Sequence, residues 1–138
     1  MLSPTSRLSF VISQTMKGNN FRTLDVWQKA RLLARDVYRV TQSFPPDERF
    51  GLTAQMRRAA ISIISNIAEG KGRRTNADYR AFLIIARGSA FELDAQTIIA
   101  FDLEFVDRAT ARPIIKQANE ITRMLNAMIR RLDALDPL

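Results

Sequence analysis

From residue 25 to residue 135 apolar side chains recur every three or four positions, and helix-ending residues interrupt the pattern at a few places. That spacing commits the chain to amphipathic helices packed side by side. The first helix is expected over 25–43, with Trp27, Ala30, Ala34, Val37 and Thr41 on its apolar face beside Leu33 and Val40. It stops at Phe44-Pro45-Pro46, where proline forbids continuation. Asp25 is read as its cap, with Gln28 completing a capping box. After a turn at 47–51, Thr53 is expected to cap a second helix that runs to Glu69 and ends with Gly70 as a left-handed C-cap. Lys71-Gly72-Arg73-Arg74 then forms a basic loop. Thr75 opens the third helix, with Asp78 at the third helical position. Its apolar positions are Tyr79, Phe82, Leu83, Ala86, Ala90, Leu93, Thr97 and Ala100, and it ends near Asp102–Glu104. Asp107 caps a fourth, whose apolar face is Ile114, Ala118, Ile121, Leu125, Met128, Leu132 and Leu135. Pro113 within it is expected to kink or delay the helix.

Helices of comparable length joined by short connections favour antiparallel neighbours. The expected fold is therefore all-α, an antiparallel up-down-up-down four-helix bundle over residues 21–138. At 138 residues the chain has room for one core, and there is no internal repeat and no hairpin signal for a sheet. Residues 1–20 differ, being rich in Ser, Thr, Asn and Gly around a short apolar patch, Leu8-Ser9-Phe10-Val11-Ile12. The patch is too short for a signal peptide and lacks a basic front, so this segment is expected to be a flexible tail.

The sequence has neither Cys nor His. Disulfides, thiol nucleophiles, imidazole acid–base chemistry and thiolate or imidazole metal sites are excluded with them. Bundle di-iron chemistry needs Glu-x-x-His pairs and falls as well. Gly70-Lys71-Gly72-Arg73 has neither the spacing nor the preceding strand of a phosphate-binding loop. A carboxylate-only metal site through Glu69, Glu92 or Asp94 remains, with nothing to bring two of them together. The expectation is no catalytic residue, no metal and no cofactor. The apolar runs fall short of a membrane span, and the absence of Cys fits a cytoplasmic protein.

Two helices carry more apolar surface than a bundle needs. In the second, Arg58, Ser62, Ser65, Asn66 and Glu69 make one narrow polar stripe and nearly everything else is apolar. The third has a second stripe outside its core face: Ile84, Gly88, Phe91, Ala95 and Ile98, with Ile85 and Ile99 beside it. Such a surplus either thickens the core of one chain or forms a subunit interface, and the interface is expected, through Ile61, Ile64, Ile84, Gly88, Phe91 and Ile98. Gly88 costs about 1 kcal/mol against Ala in a helix, for which a close helix–helix approach would compensate.

Lys and Arg exceed Asp and Glu by 21 to 14, a net +7. Lys71, Arg73, Arg74, Arg80 and Arg87 cluster at 71–87, while 92–107 holds Glu92, Asp94, Asp102, Glu104 and Asp107. This order opposes the helix dipole, so local helix stability does not explain it. In an antiparallel bundle Arg130 and Arg131 would join Lys71, Arg73, Arg74 and Arg80 at one basic end. These six and Arg57 are the candidates for phosphate contact with RNA or DNA. The alternative is a protein-interaction scaffold whose charges serve solubility and pairing between subunits. Arg58, Asn66, Glu69 and Arg87 are read as structural networks at bundle or subunit contacts.

Several segments carry a family resemblance: Phe21-Arg22-Thr23-Leu24-Asp25-Val26-Trp27-Gln28-Lys29-Ala30, Arg49-Phe50-Gly51-Leu52-Thr53, Gln55-Met56-Arg57-Arg58-Ala59-Ala60, Ser65-Asn66-Ile67-Ala68-Glu69-Gly70, Ala86-Arg87-Gly88-Ser89 and Arg123-Met124-Leu125-Asn126. Together they resemble the bacterial four-helix-bundle proteins named for 23S rRNA intervening sequences, also called the S23 ribosomal protein family. The resemblance spans about residues 16–132 and supports Met16 as an alternative start to Met1, the choice between them staying open. It implies a cytoplasmic homopentamer. It also implies a relation to the accessory variability determinant of diversity-generating retroelements, a basic pentamer that binds RNA and a reverse transcriptase. The chain departs from the family pattern at Ile64, where Pro is common, and at Pro113.

Overall fold

The computed structural model describes residues 20–136, which form four α-helices and no strand. They are α1 (Asp25–Thr41), α2 (Leu52–Lys71), α3 (Asn76–Asp102) and α4 (Arg108–Leu135), with 3-10 turns at Phe21–Thr23 and Pro46–Glu48. Residues 1–19 of the expected tail lie outside the described residues. Asn20, at its edge, accepts the Arg22 N–H at 2.9 Å and caps the first 3-10 turn.

Pair contacts fix the direction of each helix. Arg80 meets Asp133, and further along α3 Arg87 meets Asn126, further back on α4. Ser62 meets Ser89, while Gly70 sits against Phe82. Lys29 pairs with Glu120 and Asp36 with Gln117. Neighbours therefore run antiparallel in an up-down-up-down bundle, with α1 packed on α2 and α4, and α3 on α2 and α4. Leu33 and Val37 from α1, Met56, Ile63 and Ile67 from α2, Leu83 and Leu93 from α3, and Ile121 and Leu125 from α4 have no exposed surface and make the core. Buried hydroxyls are paired locally: Thr41 donates to the Val37 carbonyl at 2.8 Å and Thr97 to that of Leu93 at 2.7 Å.

Two of the expected caps are present. The Thr75 hydroxyl accepts the Asp78 N–H at 3.1 Å, and the Asp107 carboxylate accepts that of Thr110 at 2.8 Å. Hydrogen bonding from the Thr110 side chain and from its backbone N–H holds the Asp107 carboxyl below the usual range. The other two expectations are corrected. Asp25 is the first helical residue of α1, after Leu24, and Gln28 donates instead to the Arg22 carbonyl at 2.8 Å. Thr53 lies buried inside α2, and the Leu52 N–H is taken by the Glu48 carboxylate at 2.8 Å. Both helices follow 3-10 turns; at α2 the upstream Glu48 takes one of the free N–H donors, whereas α1 begins without a side-chain cap. The first helix ends at Thr41 rather than 43. α4 runs unbroken through Pro113.

Gly70 is not a left-handed cap. α2 continues to Lys71, and Gly72 follows with an ordinary right-handed conformation at φ −83°. A Cβ on Gly70 would stand 2.8 Å from Phe82 Cβ and 3.0 Å from Tyr79 Cδ1, so the residue permits the close approach of α2 and α3. Gly70→Ala should therefore lower stability by about 1–2 kcal/mol in a urea titration, overpacking outweighing the gain in helix propensity. Stability equal to or above the parent protein would refute the steric role. Among the described residues the left-handed one is Glu104, at φ 63°. It closes α3 in a Schellman turn, its N–H bonding Phe101 O and that of Phe105 bonding Ala100 O, both at 2.9 Å.

Candidate nucleic-acid interface and assembly face

The basic end is built on the tight α2–α3 connection. Gly72 N–H reaches the carbonyls of Ala68 and Glu69, Arg73 N–H reaches that of Gly70, and Thr75 starts α3 at once. Lys71, Arg73 and Arg74 are thereby held at the tip of a hairpin. Arg80, one turn into α3, joins Asp133 near the C-terminal end of α4, so Arg130 and Arg131 come to the same end. Arg131 is close enough to Tyr79 to favour its ionised form, although burial outweighs this and raises the hydroxyl above its ordinary value.

Not all of these cations are free. Arg73 pairs with Glu69 at 2.7 Å and lies 4.7 Å from the Phe82 ring centre, while Lys71 sits 5.6 Å from that of Tyr79. Arg80 is taken by Asp133. Arg74, Arg130 and Arg131 are exposed and make no ion pair among the described residues. Arg57 is not part of this end. Antiparallel packing sets the first half of α2 beside the last turn of α1, where Arg57 Nε donates to Thr41 Oγ1 at 2.8 Å and stacks 4.6 Å from the Tyr38 ring centre.

Arg58, Asn66, Glu69 and Arg87 do not form one network. Asn66 donates to the Ser62 carbonyl at 2.8 Å and to its hydroxyl at 3.0 Å, and that hydroxyl meets Ser89 at 2.7 Å, tying α2 to α3. Arg87 donates to Asn126 at 2.9 Å across α3 and α4. Glu69 serves Arg73, and Arg58 is exposed without an ion pair among the described residues.

The second apolar stripe of α3 faces outward. Ile85 is 51%, Phe91 52%, Ile98 47% and Ile99 49% exposed, and Ile61 on α2 is 42% exposed. Ile64 and Ile84 are half-buried and pack against the core. Gly88 has no atom within 4 Å of a built Cβ, so no helix of this chain makes the close approach expected there. Phe101 and Leu103 prolong the face towards the end of α3. Continuing the three-to-four spacing past Ile98 would have found Phe101. Phe50, 82% exposed beneath Arg49, is a further apolar side chain that periodicity within helices does not reach.

Among the described residues no three acidic side chains gather as a metal site, and no helix is long and apolar enough to cross a membrane.

The molecule is an antiparallel four-helix bundle with a charged hairpin at one end and an outward apolar face on one helix. The profile of the 23S rRNA-intervening sequence protein family matches residues 22–127, and the chain belongs to that family. Among solved structures it is similar to a protein of unknown function from the S23 ribosomal protein family of Bacteroides thetaiotaomicron VPI-5482. The TM-score is 0.69 at 24% identity, over 75% of this chain and 97% of the other, and the likeness concerns the fold. No curated protein matches the chain.

Proposed function

We propose that this protein is a non-catalytic homo-oligomer, a pentamer as the family resemblance implies, that works as an RNA-binding accessory protein. The observation that carries the proposal is that α3 links both features: its outward face is apolar, and the basic hairpin leads directly into its N-terminus. Assembly through α3 would bury Ile85, Phe91 and Ile98 and repeat Lys71, Arg73 and Arg74 in every copy. Repetition multiplies the phosphate contacts and hence the affinity. With neither Cys nor His, the chain lacks a thiol nucleophile and the commonest general base, which supports a binding role. Gly88, unfilled within one chain, leaves a gap into which a neighbouring helix fits. RNA is the first ligand to try for a member of a family named after 23S rRNA, and a cytoplasmic location is part of the proposal.

The test is solution mass together with binding of a labelled structured RNA across a salt series. The wild type should be oligomeric, with affinity that falls steeply as salt rises. Arg73→Glu combined with Arg74→Glu should weaken binding at least tenfold and leave the mass unchanged. Unchanged affinity would remove the hairpin from the site. The internal pairs of Arg73 and Arg80 favour a second reading, a protein-interaction scaffold, which an oligomer indifferent to RNA at low salt would establish in its place.

A further inference from the structure

The outward side of α4 carries a second basic feature, which shares only Arg130 with the basic end. Arg108, Arg112, Lys116, Arg123 and Arg130 occur at intervals of four or seven residues, which keeps them in one row along a helix. The buried positions Ala111, Ile114, Ala118, Ile121, Leu125, Ile129 and Leu132 define the opposite side, so the row points away from the core. From Arg108 to Arg130 it runs about 33 Å at the helical rise. All five side chains are exposed, and none makes an ion pair among the described residues. Glu120, between Lys116 and Arg123 in sequence, pairs with Lys29 of α1 at 2.7 Å, and that hydrogen bond, with the charges of Lys29, Arg123 and Lys116, holds its carboxyl below the usual range. The one acid beside the middle of the row thus already has a cation of its own.

A row of like charges on one helix destabilises that helix, so local stability gives no reason for it. Its spacing suits a run of phosphates. No aromatic residue stands in the row, which leaves nothing to stack unpaired bases on and favours a duplex over a single strand. Half-buried Asn119 lines a shallow surface depression together with Arg112, Pro113, Ile115, Lys116 and Arg123. Its amide offers both a donor and an acceptor, the combination that a 2′-hydroxyl can use. The wide, shallow minor groove of A-form RNA displays those hydroxyls between two phosphate strands and accepts a convex helix without base reading.

We infer that the outward face of α4 is a track for double-stranded RNA, with Arg108, Arg112, Lys116, Arg123 and Arg130 on phosphates and Asn119 on a ribose hydroxyl. It rests on the RNA-binding reading and assigns a different surface to it. The experiment compares an RNA duplex of about 16 base pairs, long enough for two successive minor grooves, with its DNA counterpart and one unpaired RNA strand. Proteins are the wild type, Arg112→Gln with Arg123→Gln, and a charge-matched control, Arg39→Gln with Arg49→Gln, at two exposed positions off the row. Unaltered mass and helix content for each variant establish that it is folded.

The expected result is tightest binding to duplex RNA, a slope of log affinity against log salt reduced by about 2 in the α4 variant, and an unchanged slope in the control. Equal loss in both variants would show that net charge alone acts and overturn the track. So would equal binding of DNA duplex, or preference for the unpaired strand. Loss in Arg73→Glu with Arg74→Glu but none in the α4 variant would overturn the track while leaving the proposed function intact. No binding of any RNA by the wild type at low salt would overturn both.

Discussion

An Ile98→Asp protein is expected to sediment at the mass of one chain where the wild type sediments as an oligomer. Ile98 is 47% exposed in a single chain and stands outside the buried core positions of α3, so an aspartate there meets water and the bundle still folds. In an assembly packed on α3 the same carboxylate would be buried against Ile85, Phe91 or their counterparts in the next copy. An ionised group without a partner in such a place costs several kcal/mol. A loss of about 3 kcal/mol per contact is a hundredfold or more in dissociation constant, enough to separate subunits at micromolar concentration. Circular dichroism should show the helix content of the wild type. An unchanged mass would put the assembly contact elsewhere. Gly88→Ala is the companion. With no atom within 4 Å of its added Cβ, it should stabilise the single chain by about 1 kcal/mol. If a neighbouring helix packs into that gap, the same substitution weakens assembly, so the two effects have opposite signs.

Leu93→Ala should be the most damaging truncation of the core. Leu93 has no exposed surface, and Ala90 and Thr97, one turn to either side, are buried too, which leaves little nearby bulk to fill the space. Such a change costs about 3–5 kcal/mol, a large share of the roughly 5–15 kcal/mol that holds a domain of this size. A urea titration should show a lowered midpoint with an unchanged slope. Leu135→Ala removes the same atoms from a side chain 68% exposed and should change stability by less than about 0.5 kcal/mol. A loss below about 1 kcal/mol for Leu93→Ala would mean that the α3 core face had been misplaced.

Helix number, order and core faces were legible because buried positions repeat at helical spacing over four long segments. Thr75 and Asp107 were legible as caps because each follows a short break and supplies its own side-chain oxygen. Asp25 and Thr53 have the right chemistry in the wrong place. At α2 the capping group is the Glu48 carboxylate, from a 3-10 turn that leaves no apolar period, and α1 starts after Leu24 with no side-chain cap. Gly70 looks like a helix stop in one dimension and acts as a spacer in three. The outward α3 stripe was legible as surplus, whereas the pairing of Arg73 and Arg80 was not, since Arg80–Asp133 joins residues far apart in the chain. Scanning charge in contiguous windows also hid the α4 row, whose members are too widely spaced to fill any one window.

The order of helices around the bundle bears on how the chain reaches its fold. α2, α3 and α4 are each joined to the next by a short connection, so two of the packed pairs arise from local hairpins with little loop-closure entropy. The seam between α1 and α4 is different. The Asp36–Gln117 contact spans 81 residues of sequence, and with Lys29–Glu120 it adds a partly exposed polar margin to the apolar packing between these helices. Closing that seam brings the chain's two helical extremes together over the least extensive of the four helix–helix contacts. It is therefore the step expected last in folding, and the parting of α1 from α4 is the cheapest large opening available to the folded molecule.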